Sequence, residues 1–105
     1  LTGIGIASAS AERPAVETAA ELGADPITRG KGLFQRHKCV RCHTIAGEGG
    51  DKGPNLTHVS RRIRTDYLKP WIRRPRSFKP DTEMPAFEGS EQELDDIASY
   101  LRSLK

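Results

Sequence analysis

The sequence predicts an all-α domain, and three observations carry that prediction. Apolar residues recur at three- and four-residue steps in two stretches: Ile27, Gly30, Leu33, Phe34 and His37 in the first, and Leu94, Ile97, Ala98, Tyr100, Leu101 and Leu104 in the last. A helix-start signal precedes each. Asp25-Pro26 pairs a capping residue with a first-turn proline, and Ser90 with Glu93 forms a Ser-x-x-Glu capping box. Between them no repeat and no hairpin signal is visible. With 105 residues, of which 35% are hydrophobic and 30% charged, the chain is one domain with a small core of its own.

Taken in order, residues 1–24 read as an N-terminal extension and 25–105 as the domain. Residues 1–11 are apolar and rich in small side chains. They fit the remnant of an export signal, with an A-x-A site at Ala7-Ser8-Ala9 or Ala9-Ser10-Ala11, or a membrane anchor, or an arm packed on the domain or on a second copy. Residues 12–24, with Pro14 near the start and Gly23 near the end, suit a short helix. The helix opened by Asp25 is expected to run to about Lys38. A glycine inside it costs ~1 kcal/mol relative to alanine, so Gly30 implies close approach by another element. Residues 44–52 contain Gly47, Gly49 and Gly50 and read as a loop. Gly53-Pro54-Asn55-Leu56 follows, stiffened by its proline. Leu56, Val59 and Ile63 fit a short helix with Arg61, Arg62 and Arg64 outward. Thr65 is expected to cap the next helix, whose apolar face is Leu68, Trp71 and Ile72. Pro70 implies a kink there, or a helix that begins near it, and Pro75 ends it. Residues 76–89, with Pro80, Pro85 and Gly89, read as an irregular loop before the last helix.

The chemistry is concentrated at Cys39-Val40-Arg41-Cys42-His43. A C-x-x-C-H run is the attachment signature of a c-type haem. Two thiols, spaced so that one turn presents both, add to the vinyl groups of one porphyrin, and the adjacent histidine meets the iron. Other readings fit less well. A redox dithiol favours a βαβ context, and no β-rich run precedes the motif. Zinc takes four ligands, and the chain has only two cysteines, with His43 directly adjacent to Cys42. A disulfide across two residues is tight. A rigid carbonyl such as that of Pro54 near the histidine would accept its Nδ1–H and fix the ring.

A haem held by His43 has a second axial position. Met84, the only methionine, lies 41 residues after His43 on the irregular loop and precedes Pro85. Core filling is the ordinary role of a lone methionine, but this one sits in a charged, proline-rich loop. A Met/His pair raises the reduction potential. His58 and His37 are the other candidates. His37 is only two residues before Cys39 and is poorly placed to reach the opposite face. A vacant position would imply ligand binding at iron.

The net charge is +3 and the pI about 9.1, which haem propionates would offset, so a nucleic-acid partner is not expected. The distribution is uneven. Residues 61–79 hold eight basic side chains and one acid, Asp66, while 81–96 hold seven acids and no base. Two solvated faces would explain this. So would a basic stretch that neutralises propionates and steers docking to an acidic partner. No run of about 18 apolar residues is present.

Together these residues make the chain resemble the class I monohaem cytochromes c. The likeness covers about 25–104 and runs through Gly30 and Phe34, the Cys39–His43 motif, Gly53-Pro54-Asn55-Leu56, Tyr67, Trp71, Met84-Pro85 and Tyr100. It implies the small cytochrome c fold, with helices packed around one covalently bound haem c. It further implies thioether bonds at Cys39 and Cys42, axial ligation by His43 and Met84, and the Pro54 carbonyl as acceptor for His43. It implies that the first and last helices cross at Gly30 near Phe34 and Tyr100, and that Trp71 and an arginine hydrogen-bond a propionate. Residues 1–24 and Pro70 depart from the minimal family domain. The 67–72 stretch also resembles cytochrome domains attached to respiratory enzymes.

The expected function is one-electron transfer between respiratory redox partner proteins, with no substrate transformed. The alternatives are a haem c subunit or domain of a larger oxidase or reductase, and a haem-based ligand sensor. Thioether attachment implies an exported, periplasmic protein, soluble or tethered to a membrane. The extension leaves room for a membrane tether or a homodimer contact.

Overall fold

A computed structural model describes residues 25–105 of the chain. The expectations for residues 1–24 (signal or anchor remnant, arm, short helix) lie outside the described residues. Three helices frame the domain: α1 (Pro26–Arg36), α2 (Thr65–Arg73) and α3 (Glu91–Arg102).

Helix α1 starts where its sequence says. The Thr28 amide donates to Asp25 Oδ1 at 2.8 Å, and Pro26 occupies the first turn. It ends two residues earlier than expected. His37 caps it, and Lys38 at φ 65° turns the chain away from the helix axis. Gly30, Leu33 and Phe34 are buried, whereas Ile27 at the same spacing is 46% exposed. Helix α3 carries the full capping box: Ser90 Oγ accepts from the Glu93 amide, and Glu93 Oε1 accepts from the Ser90 amide. Leu94, Ile97, Ala98, Tyr100 and Leu101 are buried along it.

α1 and α3 cross at Gly30. A Cβ there would lie 2.0 Å from the Asp96 carbonyl oxygen and 2.7 Å from Tyr100 Cβ. Phe34 and Tyr100 meet edge to face, with centroids 5.9 Å apart. Beside the crossing, Arg29 grips the buried Asp96 carboxylate with Nε at 2.9 Å and a second nitrogen at 3.1 Å. Gln92 donates to the same carboxylate at 3.0 Å. The pair is forked and hydrogen-bonded, as a buried carboxylate requires.

Helix α2 begins at the residue expected to cap it. Arg64 is the capping position, without a side-chain bond, and Thr65 is the first helical residue. Pro70 lies inside the helix and neither starts nor ends it. It removes one internal amide, but Arg74 still donates to the Pro70 carbonyl at 3.0 Å. Leu68 and Ile72 are buried and join the core of Leu33, Phe34, Val59, Phe87, Leu94, Ile97, Tyr100 and Leu101.

Two connections differ from expectation. The 44–52 loop contains a two-residue antiparallel ladder, β1 (Thr44–Ile45) with β2 (Glu48–Gly49), pairing Thr44 with Gly49 and Ile45 with Glu48. Such a short hairpin leaves no alternation to read. The expected 56–63 helix is only a 3-10 turn at Val59–Arg61. That turn is tied to the chain end instead: the Ser60 amide donates to the Leu104 carbonyl at 3.0 Å.

Gly30→Ala is expected to destabilise the folded protein by about 1–3 kcal/mol, the usual cost of overpacking. Urea unfolding reads it directly. Helix propensity alone would shift stability the opposite way by ~1 kcal/mol, so an unchanged or raised midpoint would contradict the crossing.

Candidate haem attachment site

The motif occupies a 3-10 turn at Cys39–Arg41 that leaves α1 through the left-handed Lys38. The amides of both Cys42 and His43 fold back on the Cys39 carbonyl, at 3.2 and 3.1 Å. Cys39 opens this turn and Cys42 caps it. Both thiols are unbridged and half-buried. Burial pushes the Cys39 thiol up to about 11, so it stays neutral at physiological pH.

The glycine-rich segment after the motif packs on the motif's own backbone. The Gly50 amide donates to the Val40 carbonyl at 2.9 Å, and the Gly53 amide to the Cys42 carbonyl at 2.7 Å. Thr44 Oγ1 donates to the Gly50 carbonyl at 2.7 Å. A Cβ on Gly50 would fall 1.8 Å from the Arg41 carbonyl oxygen. The sequence showed Gly50 only as a loop glycine and Gly53 as part of a proline-stiffened turn. The signal that distinguishes them, close backbone approach, exists only in three dimensions.

His43 is held by two neighbours. Its Nδ1 lies 2.9 Å from the Pro54 carbonyl oxygen. A carbonyl only accepts, so Nδ1 carries the proton and Nε2 presents a lone pair. A Cβ on Gly53 would lie 2.6 Å from His43 Cε1, so the ring is flanked where only glycine fits. Pro54 is fixed in turn through its neighbour: Arg62 donates to the Asn55 carbonyl.

The other histidines are engaged elsewhere. His58 Nδ1 is 2.9 Å from the Lys105 carbonyl. The His37 ring packs on Phe87, with centroids 4.7 Å apart, and its Nε2 is 3.6 Å from Glu93. Met84 is half-buried and packs against the same core cluster as Cys39 and Val40. Tyr67 and Trp71 form an aromatic group around Phe78, at 6.2 and 4.8 Å between centroids. Tyr67 and Phe78 are 47% and 40% exposed. Phe78 carries no signal in the sequence, because a lone aromatic in an irregular loop has no periodicity to mark it. Among the described residues no three of His, Cys, Asp and Glu gather as a metal cage.

The donor set fits a covalent haem. Two free thiols share one turn, and an imidazole beside them has its tautomer fixed with Nε2 available. Comparison with known proteins agrees. The cytochrome c family model matches residues 27–105, and the chain belongs to the cytochrome c family. It is 34% identical over 86 residues to a cytochrome c oxidase subunit 2 of Alkalihalophilus pseudofirmus, covering 73% of this chain and 25% of that protein. It is 33% identical over 84 residues to a nitric oxide reductase subunit from Stutzerimonas stutzeri, covering 74% of this chain and 58% of that one. The chain thus spans about a quarter and somewhat over half of these relatives. In fold it is similar to the c-type cytochrome SorU from Sinorhizobium meliloti, with a TM-score of 0.59 and 23% identity over 76% of this chain and 91% of the other. Family membership implies a covalent haem c, which supplies a one-electron Fe(III)/Fe(II) couple.

Gly53→Ala is expected to push the imidazole from the Pro54 carbonyl. Stability should fall by about 1–3 kcal/mol. The reduction potential should rise, because a weaker Nδ1–H bond makes His43 a less basic ligand. Urea unfolding and a redox titration of the holoprotein read the two effects. Both unchanged would show that the ring is not gripped.

Proposed function

We propose that this domain carries one electron at a time on a single haem c attached through Cys39 and Cys42, with His43 and Met84 as axial ligands. The observation that carries this reading is the Nδ1 bond of His43 to Pro54, which leaves Nε2 as a fixed lone-pair donor. Met84 is favoured over the histidines because His37 and His58 are already engaged with Phe87 and Glu93 and with the C-terminal carbonyl. A filled sixth position favours outer-sphere electron transfer over binding a substrate at iron. The chain's own task is to fix both ligands and to keep water from the iron. In this reading Tyr67 and Trp71 line the haem, Trp71 donates to a propionate, and an arginine assists it. Arg29, Arg62 and Arg73 each hold another group.

The partners are redox proteins. The relatives named as subunits of cytochrome c oxidase and nitric oxide reductase favour a domain that delivers electrons within such an assembly over a freely diffusing shuttle. Thioether attachment favours a periplasmic location, free or tethered. Among the described residues no helix is long and apolar enough to cross a membrane. The exposed cations Arg61, Arg64, Arg74 and Arg76 offer a surface for an acidic partner.

Met84→Ala is expected to abolish the far-red Fe–S(Met) band of the oxidised protein. It should also lower the potential by an appreciable fraction of the roughly 0.8 V that axial ligands span. Carbon monoxide should bind the reduced variant far faster than the wild type. A retained far-red band would remove Met84 as ligand, and rapid carbon monoxide binding to wild type would favour a ligand sensor.

A further inference from the structure

The loop that bears Met84 is held mainly from one side. Upstream its bonds are local: the Thr82 amide donates to the Lys79 carbonyl at 3.0 Å, and the Met84 amide to Thr82 Oγ1 at 3.2 Å. Downstream, two neighbouring residues of α2 take hold. The Phe87 amide donates to the Ile72 carbonyl at 3.2 Å. Arg73 Nη1 donates to the carbonyls of both Phe87 and Gly89 at 2.9 Å, and Nη2 reaches Glu91 Oε1 at 3.3 Å. The guanidinium also lies over the Phe87 ring, 5.5 Å from its centroid. The ring itself is 9% exposed and contacts the His37 ring as well.

In the sequence Arg73 is one more cation in a basic run. Its geometry assigns it a different task. Two carbonyls, an aromatic face and a carboxylate are met at once by a planar fork, an arrangement that a lysine ammonium cannot reproduce. We propose that Arg73 is the positioning residue that keeps the Met84 loop closed on α2 and so sets how readily the Met84 sulfur leaves the iron. The inference rests on the reading of Met84 as ligand. Opening the loop requires the guanidinium to release two carbonyls three and five residues beyond Met84. Hydrogen bonds to a charged group are among the stronger ones in a folded chain. The released Phe87 ring must also leave its place between His37 and Arg73. The clamp therefore acts on the population of the open loop.

Lys69 supplies an internal control. It bridges the same two helices through Glu91 at 2.7 Å and Asp95, and these bonds hold its pKa above the ordinary lysine value. The loop itself is not among its partners there.

The experiment is imidazole binding to the ferric holoprotein, followed by loss of the far-red band. In this exchange the Fe–S(Met84) bond breaks and an Fe–N bond to imidazole forms, with no change of oxidation state. Arg73→Ala is expected to accelerate uptake by about tenfold or more, the scale of a lost charged hydrogen bond. Arg73→Lys, which keeps the charge and loses the fork, should accelerate it by a smaller factor. Lys69→Ala should bind at nearly the wild-type rate. A wild-type rate in either folded Arg73 variant would overturn the clamp. So would equal acceleration in Lys69→Ala, which would show general loosening of the helix pair. Met84→Ala separates the two readings. If it keeps the far-red band, the ligand assignment fails and the clamp with it. If the band is lost while the Arg73 variants behave as wild type, only the clamp fails.

Discussion

At the crossing of α1 and α3 the backbone of Gly30 comes so near Asp96 that no side chain fits between them. The rest of the site hangs from that contact. The crossing fixes the axis of α1, and the left-handed Lys38 then fixes the direction in which the chain leaves it. The next residues are the cysteine motif, so its placement is set by helix packing before any haem chemistry is considered. The pair of half-buried Arg29 and buried Asp96 fixes the rotation of the two helices, because a forked guanidinium satisfies both oxygens in one orientation only.

The proximal side is built from backbone. Gly50 and Gly53 let the segment after the motif lie directly on it, and their amides satisfy the carbonyls of Val40 and Cys42. That layering delivers the Pro54 carbonyl to His43. The Met84 loop is held largely by side chains. Met84 sits on a loop without regular structure, and its order depends on Phe87 and on what Arg73 holds. The Phe87 amide ties the loop to the Ile72 carbonyl, the Phe87 ring joins the core, and Arg73 holds two further carbonyls.

Much of this was legible in the sequence because the signals were local. The ends of α1 and α3 are written in Asp25-Pro26 and Ser90 with Glu93. Gly30 announced a close contact by its cost within a helix, the C-x-x-C-H run pointed to the covalent haem c that family membership implies, and Pro54 was expected beside His43, where it lies. The elements that were misread lack such signals. A two-residue ladder at 44–49 has no alternation. The 56–63 stretch has helical spacing but folds as a 3-10 turn tied through Ser60 to the Leu104 carbonyl. Pro70 left open a kink or a helix start; α2 starts at Thr65 and runs through it, since packing of Leu68 and Ile72 outweighs one lost hydrogen bond. Arg73 looked like surface charge, because its partners lie 14 to 18 residues away in sequence.

The central claim is that His43 and Met84 enclose the iron in both oxidation states. A spectroelectrochemical titration of the holoprotein tests it most directly. The account predicts a single one-electron step, with the far-red Fe–S(Met) band vanishing in proportion to haem reduced and restored in full on reoxidation. Absence of that band at every potential, or separate waves with different spectra, would contradict it.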